Sequence, residues 1–397
     1  MSTKESLSTF YQLSGSIDSR IQQSTGLKTQ PELLASTIIK NKKIAVDLLI
    51  PSTCSENCGH CFFVENNLPF LKADSETLNE LRKLAQIFDP QQTYLTIYPR
   101  EITTAMELLP IFTQLQKDTV LTNGALLSER IISQLKNAGI TKLSVSLHGN
   151  QDQQTKLTQA DPKFFELTLQ GINRAIKAGM DVSTFTSVSK INVDSLDYIF
   201  DLADQLGIKE TKLIKLKPAG RAQNLPKDIF IDQTDLINML YSVNAARLKY
   251  ENLRISLFGL SFGPNFFSKG LYKYLSGQTN RWPASTFLCP WIGQDFLGIS
   301  LGSKKIYPCF EALSFPELQI GSVENNQINL TQPPLNPESL QKKLTGICSS
   351  ANCEYQKLCL GGCRISAFGF AKLNNQENPI FSGQDICLTK TLSQLNN

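Results

Sequence analysis

The chain has 397 residues, 41% of them hydrophobic and 19% charged, which suits a large packed core and is too apolar for a disordered protein. A net charge of +4 supplies no basic face of the kind nucleic acid demands. No run of about 18 apolar residues offers a membrane span, and the N-terminus lacks the apolar stretch of a signal peptide, so the expected location is cytoplasmic, with neither nucleic acid nor membrane as partner.

Residues 1–42 are polar, with weak helical patterning, and form an N-terminal extension. An apolar run at 43–50 predicts a buried strand, which ends in the cysteine-rich stretch 51–66, PSTCSENCGHCFFVEN. Leu78, Leu81, Leu84 and Phe88 then recur at helical spacing, with Asp74 or Ser75 as the cap. Strands at 93–98, 118–124, 140–149, 180–188 and 208–220 alternate with helices at 128–139, 162–179 and 193–207. Gly139, Gly179 and Gly207 follow those three helices, where a left-handed cap turns the chain back toward a sheet. Six strands in such alternation imply a parallel sheet with right-handed crossovers, too few to close an eight-fold barrel. A helix at 233–251 and a strand at 253–259 follow. Beyond Phe258 the texture turns to Gly, Ser and aromatics. The expected division is an extension at 1–42, an α/β domain at 43–260, a linker at 261–285 and a loop-rich domain at 286–397.

The ten cysteines are placed unevenly: three at 54–61, none between 62 and 288, and seven from 289 to 387. In a reducing compartment they are not a disulfide framework. Only two histidines exist, His60 and His148, so zinc sites built on several imidazoles are nearly excluded, whereas thiolate sites suit zinc or iron–sulfur clusters. A structural zinc closes its tetrahedron with four protein ligands. Cys54-x3-Cys58-x2-Cys61 supplies three, directly after a strand, where a β/α sheet collects its active site. A four-iron cluster on three thiolates leaves one iron open to a reactant. The competing reading is a zinc knuckle with a remote fourth ligand.

Cys54-x3-Cys58-x2-Cys61 after the first strand of a partial (β/α)6 TIM-like barrel resembles the radical S-adenosylmethionine (SAM) superfamily. The resemblance implies a [4Fe–4S] cluster whose open iron chelates SAM, reductive cleavage of the sulfonium, and a 5′-deoxyadenosyl radical that abstracts hydrogen. His60 holds the place of an aromatic near the adenine. Glu101, in LTIYPREIT after the second strand, matches the acid that receives the SAM amino group, although Pro99 and Arg100 replace two glycines of the family motif. The alternative is a solvated surface carboxylate. By the same resemblance Thr122 and Asn123 lie near the cofactor. Ser146 and His148 approach the ribose, His148 replacing an acid, or else being a structural loop histidine. Thr186 or Ser187 follows, against simple strand-end polarity. Lys215 and Lys217 face the barrel mouth, and Arg221 binds a carboxylate, a surface role being equally open for all three.

The C-terminal cysteines, Cys289-x19-Cys309, then Cys348-x4-Cys353-x5-Cys359-x3-Cys363 and Cys387, with LGGCR at 360–364, resemble the SPASM extension of that superfamily. Its topology implies two auxiliary [4Fe–4S] clusters. Cys289, Cys309 and Cys363 would hold the first, with Asp295 as fourth ligand or else substrate or water on that iron, and Cys348, Cys353, Cys359 and Cys387 the second. Cofactors are thus expected to be SAM and three [4Fe–4S] clusters in a cluster-binding C-terminal domain. One or two structural zinc sites are the alternative for these seven thiols.

Radical SAM–SPASM enzymes mostly modify ribosomally made peptides. The expectation is a maturase of a ribosomal precursor peptide (a RiPP), with crosslinking or splicease-type excision of tyramine as outcomes. A sulfatase-type protein maturase or a peptide epimerase, and a non-enzymatic zinc or iron–sulfur scaffold, are the competing readings. Leader-binding modules in the family take roughly 80 residues, while some 42 precede the first strand here, so a separate leader-binding (RRE-type) protein is the expected partner, with flavodoxin or ferredoxin as electron donor.

Overall fold

Strands β1 (Ile44–Ile50) and β2 (Thr93–Pro99) pair in parallel, Val46 opposite Leu95 and Leu48 opposite Ile97. The structure, a computed structural model, describes residues 44–50, 52–63, 74–88, 93–115, 117–258, 296–324, 327–331, 340, 342–345, 361–377, 379–383 and 386. A second sheet runs β3 (Thr119–Thr122), β4 (Lys142–Ser146), β5 (Asp181–Val188), β6 (Glu210–Lys215) and β7 (Arg254–Phe258), every neighbour parallel. Among the described residues no ladder joins β2 to β3, so the barrel wall is open there and the sheet does not close.

The helices form where sequence supplies a cap and an apolar stripe. Helix α1 (Ser75–Gln86) starts on Asp74, whose carboxylate accepts from the Thr77 amide at 3.0 Å, and it buries Leu81 and Leu84. Helix α2 (Leu109–Gln114) crosses between β2 and β3. Helix α3 (Glu129–Asn137) is capped by Ser128, and α4 (Gln151–Thr158) by a reciprocal Asn150/Gln153 box. Helices α5 (Lys163–Lys177), α6 (Leu196–Gln205) and α7 (Gln233–Lys249) complete the crossovers. Gly139, Gly179 and Gly207 end α3, α5 and α6 at φ of 85°, 78° and 73°, the left-handed region expected of them.

Side chains alternate across each strand, and residues paired in a parallel ladder share a face. Leu143, Val145, Val182, Val188, Leu213 and Ile255 point to the helices and join Leu135, Ile172, Ile199 and Phe200 in the main core. The opposite face, toward the lumen, mixes Ser144, Ser146, Ser183, Ser187, Glu210 and Lys212 with Leu121, Phe185 and Ile214. At its lower end the Glu210 carboxylate accepts from Ser256 Oγ at 2.7 Å and pairs with Arg254, while Lys212 donates to Ser183 Oγ at 2.9 Å.

Strand β8 (Phe296–Ser300) adds to the other edge of β1, in parallel, with Asp47 opposite Gly298. Antiparallel β9 (Lys305–Tyr307), β10 (Gly321–Glu324) and β11 (Gln327–Leu330) extend that sheet. Helix α8 (Arg364–Leu373) packs Ile365 and Phe368 into a second apolar cluster with Leu49, Phe63, Tyr307 and Phe315. Among the described residues no helix is long and apolar enough to cross a membrane.

Candidate active site

The loop 52–63 leaves β1 and is pinned at three points. The Ser52 amide donates back to Ile50 O at 2.7 Å, Thr104 Oγ1 donates to Thr53 O at 2.7 Å, and the Arg221 amide donates to Cys61 O at 2.9 Å. The third contact needs the glycine beside it. Gly220 has φ of 59°, and a Cβ there would lie 2.3 Å from Cys61 O and 2.5 Å from Phe62 Cα. The loop turns on itself through Cys61 N donating to Cys58 O at 3.2 Å.

Cys54, Cys58 and Cys61 are all half-buried and free of disulfides. Burial pushes the Cys54 thiol up to about 11. Burial also raises Cys58, helped by the charges of Glu56, Cys61 and Cys54, so the three sulfurs sense one another. Three neighbouring thiols in a partly dry loop ionise only against positive charge.

Glu101 is 1% exposed, which removes the reading of a solvated surface carboxylate. Its Oε1 accepts from the Thr103 amide at 3.0 Å, Thr103 Oγ1 at 2.8 Å and Thr122 Oγ1 at 2.7 Å, and its Oε2 accepts from the Asn123 amide at 2.7 Å. Oε2 carries one bond and has room for a second donor. Asn123 Nδ2 donates to Ser55 Oγ at 2.8 Å and lies 3.9 Å from Cys54 Sγ. Glu101, Thr122, Asn123 and the thiol loop are therefore one hydrogen-bonded unit across the open seam between β2 and β3.

The two histidines, 88 positions apart, meet edge to face with ring centroids 4.6 Å apart. His60 Nδ1 lies 2.9 Å from Leu157 O, so Nδ1 carries the proton. His148 Nδ1 accepts from the Ser187 amide at 3.1 Å, which leaves its proton on Nε2. Burial lowers both pKa values, His148 well below the usual range with the His60 charge as second cause. Ser187 thus reaches the site through its backbone. Thr186 is buried and its hydroxyl donates to Leu147 O at 2.6 Å, a cross-strand tie. Ser146 is half-buried on the lumen face.

Arg221 spans from the site to Asn57 through Nη1, while its Nε and Nη2 are buried and have no hydrogen-bond partner among the described residues. Lys215 is buried with Nζ 5.6 Å from the Phe370 ring centroid. Lys217 Nζ donates to Glu311 Oε2 at 2.6 Å, the side chains being 6% and 11% exposed. Burial would lower the Lys217 pKa; the charges of Cys363, Glu311 and Cys309 more than reverse that and hold it well above the ordinary lysine value. Neither lysine is a surface group. Cys309 is 6% exposed, and Cys363 caps the start of α8. Cys289, Asp295, Cys348, Cys353, Cys359 and Cys387 lie outside the described residues.

Sequence reading missed Glu311, two positions after Cys309, and Glu56, a buried carboxyl whose Oε2 accepts from Cys58 Sγ at 3.3 Å and whose pKa burial raises to about 7. A carboxylate between or just after spaced cysteines was the available signal. It also missed the ring contact of Phe62 with Phe310, 5.2 Å between centroids, which carries no sequence signal because the partners are 248 positions apart.

Residues 48–203 match the family described as the Radical SAM superfamily. The chain carries a radical SAM enzyme domain. The AdoMet-dependent heme synthase of Methanosarcina barkeri is 27% identical over 269 residues, covering 65% of this chain and 72% of that one. Among solved structures, Streptococcus suis SuiB bound to the precursor peptide SuiA aligns with TM-score 0.55 at 15% identity, over 89% of this chain and 78% of that one. Native anSMEcpe with bound AdoMet and Cp18Cys peptide aligns with TM-score 0.61 at 14% identity, over 88% and 94%. At those identities the structural likeness concerns the fold.

A radical SAM domain implies one [4Fe–4S] cluster and SAM. The donor set fits. Cys54, Cys58 and Cys61 are soft ligands on one pinned loop, and their thiolates need the positive charge that iron supplies. Among the described residues no three metal-binding side chains converge on one ion-sized point, and a cluster that takes one thiolate per iron needs no such convergence.

Proposed function

We propose that this enzyme is a radical SAM peptide maturase, with Cys54, Cys58 and Cys61 on the SAM-cleaving cluster and Cys309 and Cys363 on an auxiliary cluster. The observation that carries the radical step is the Glu101–Asn123–Ser55–Cys54 chain of contacts, which places a carboxylate with one spare acceptor site beside the three thiols. The cofactor supplies the hydrogen-abstracting radical; this chain binds and orients. Glu101 Oε2 receives the SAM amino group, a charge-assisted bond that an amide would not replace. His60, with Nδ1–H held by Leu157, and His148 border the adenosyl moiety, beside Ser146 and Ser187, whereas Thr186 shares the helix-facing side of β5 with Val188 and serves as a cross-strand tie. Arg221 offers Nε and Nη2, which have no partner among the described residues, to a carboxylate.

Peptide as substrate is supported by likeness to two enzymes solved with peptides, SuiB with SuiA and anSMEcpe with Cp18Cys, over 88–89% of this chain and hence well beyond the radical SAM domain. Crosslinking or backbone excision is the proposed outcome. Three [4Fe–4S] clusters, a separate leader-binding protein and a flavodoxin or ferredoxin donor belong to the same proposal. A second reading is a modification of a tetrapyrrole, favoured by the greater sequence identity to the heme synthase.

The test is anaerobic expression with any small peptides found encoded next to this chain, followed by mass analysis. A mass change in a peptide that depends on Cys58, with 5′-deoxyadenosine formed, supports the peptide reading. Unchanged peptides, together with decarboxylation of an iron-porphyrin carboxylate by the same preparation, would establish the second.

A further inference from the structure

Lys217 is a buried ammonium with three N–H donors and one partner. It donates to Glu311 Oε2 at 2.6 Å, and no other hydrogen bond from its Nζ is present among the described residues. A buried ammonium with spare donors is costly unless other negative charge lies beside it. Its partner Glu311 lies in the turn that starts at Cys309, and the neighbouring Pro218 packs against Gly369 of α8, the helix that starts at Cys363. The negative charges of Cys363, Glu311 and Cys309 all favour the ammonium form. Lys217 and these charges arrive from three separate places in the chain: Lys217 from the turn after β6, Cys309 and Glu311 from the segment after β9, and Cys363 from the start of α8. Cys309 belongs to the apolar cluster of Phe315, Ile365 and Phe368 and the half-buried Cys363 packs against it, so water screens the charges less than at the surface.

We propose that Lys217 is the tuning residue of the iron–sulfur cluster held by Cys309 and Cys363, its ammonium raising that cluster's reduction potential against the opposing pull of Glu311. This rests on the reading that those two cysteines are cluster ligands. Reduction of a [4Fe–4S] cluster adds one electron, and hence one negative charge, to the group carrying these thiolates. A fixed positive charge with N–H groups toward the sulfurs stabilises the reduced form, and a neighbouring carboxylate destabilises it. Lys217 lies on β6's exit, two positions beyond the strand's last residue, Lys215, so the barrel itself contributes the charge that sets the behaviour of the C-terminal cluster. An auxiliary cluster that accepts an electron more readily is suited to withdrawing one from a substrate radical at the barrel mouth.

The experiment is a redox titration of the anaerobically reconstituted full chain, poised with dithionite and mediators and read by EPR. The signal that disappears in a Cys309→Ala/Cys363→Ala variant identifies the cluster. Lys217→Met is expected to lower its midpoint by at least tenfold in the reduction equilibrium, about 59 mV for one electron. Lys217→Arg is expected to restore it. Glu311→Gln, which keeps the ammonium, is expected to move the midpoint the other way. Lys217→Met/Glu311→Gln removes both charges and protects against misfolding from a lone buried ion; it is expected to fall between the single variants. A purely structural ion pair would leave the midpoint unchanged wherever iron content is preserved, or move it the same way in both single variants, and either result overturns the proposal. If Cys309→Ala/Cys363→Ala keeps every EPR signal and all its iron, the cluster assignment fails first and the proposal with it.

Discussion

Gly220→Ala tests whether the seat of the third cysteine depends on a single missing methyl group. Gly220 sits at φ of 59°, where an L side chain costs about 1 kcal/mol. The new Cβ would lie 2.3 Å from Cys61 O and 2.5 Å from Phe62 Cα, both backbone atoms that cannot rotate away. Overpacking of this kind costs about 2 kcal/mol. The sum, about 3 kcal/mol, corresponds to a drop of about 6–12 °C in the thermal midpoint of a domain of this size. Gly207→Ala is the control: its φ is 73°, and nothing lies within 4 Å of the added Cβ. It should lose about 1 kcal/mol, or about 2–4 °C. Scanning calorimetry of the two variants isolates the contact term. Gly220→Ala should also lose the Arg221 N–H to Cys61 O bond and with it iron from the N-terminal cluster, whereas Gly207→Ala keeps its iron. Equal melting points and equal iron in the two variants would refute the close-approach argument.

Glu101→Gln sets an amide N–H2 against donors: whichever oxygen it replaces, Asn123 N–H or the three donors on Oε1 lose an acceptor. A stability loss of about 1–3 kcal/mol is expected, with SAM binding weakened at least tenfold by equilibrium dialysis. His148 is held neutral in the fold chiefly by burial, with repulsion from His60 as the second cause, so below the unfolded value of 6.5 the unfolded chain takes up a proton that the fold refuses. Its contribution is complete above pH 6.5 and falls by about 1.4 kcal/mol per pH unit as pH drops, until the depressed native pKa is reached. His148→Gln, which keeps an acceptor for the Ser187 amide, should flatten the midpoint-versus-pH curve by one proton between pH 6.5 and 5.5; parallel curves would count against it. Arg364, 1% exposed, donates to Gly361 O and Ser382 O at 2.8 Å. Arg364→Met strands those carbonyls at about 1–3 kcal/mol each and should release iron from the C-terminal region on gel filtration, with the N-terminal cluster retained.

Much of the scaffold was readable because its signals are local. Period-two strands, capped amphipathic helices and glycine-terminated crossovers state themselves within a dozen residues, and β1 to β7 with α1, α3, α5, α6 and α7 appear where the pattern put them. Helix α4 escaped because its sequence, QDQQTKLT, has one aliphatic side chain; its signature was the Asn150/Gln153 box alone. Strand β8 escaped because Gly298 interrupts a five-residue run and the partner that selects it is β1, some 250 positions away. The site divides the same way. Spacing exposes the cysteines, while the burial of Glu101, the meeting of His60 with His148 and the pairing of Lys217 with Glu311 depend on long-range register. The departure from Gly-Gly at Pro99 and Arg100 also resolves physically: the Arg100 amide donates to Ile50 O at 3.3 Å and to Ser52 Oγ at 3.1 Å, so the backbone at this turn is engaged with the end of β1.

The barrel and the C-terminal region cannot be separated at their apparent boundary. Truncation after Phe258 would remove β8 and leave the edge of β1, a strand whose Val46 to Ile50 are 0–3% exposed, without its second ladder. It would also uncover Leu49 and Phe63, which pack on Tyr307, Phe315 and Phe368. Each side chain forfeits about 1.5–3 kcal/mol, and a flat apolar edge is a template for pairing with another chain. Residues 1–258 expressed alone should therefore aggregate, even though they contain every residue of the SAM-cleaving loop and the whole of the family match at 48–203. Size-exclusion chromatography after refolding checks it, and a monomeric, cooperatively melting 1–258 would refute it. The same contacts bring the two thiol regions together: Cys61 and Phe62 lie against the cluster that buries Cys309, with Phe310 touching both Phe62 and Tyr98. A strand added to β1 thus serves the fold and the chemistry at once, because the segment that closes the edge also brings Cys309 into the cluster that Cys61 and Phe62 pack against.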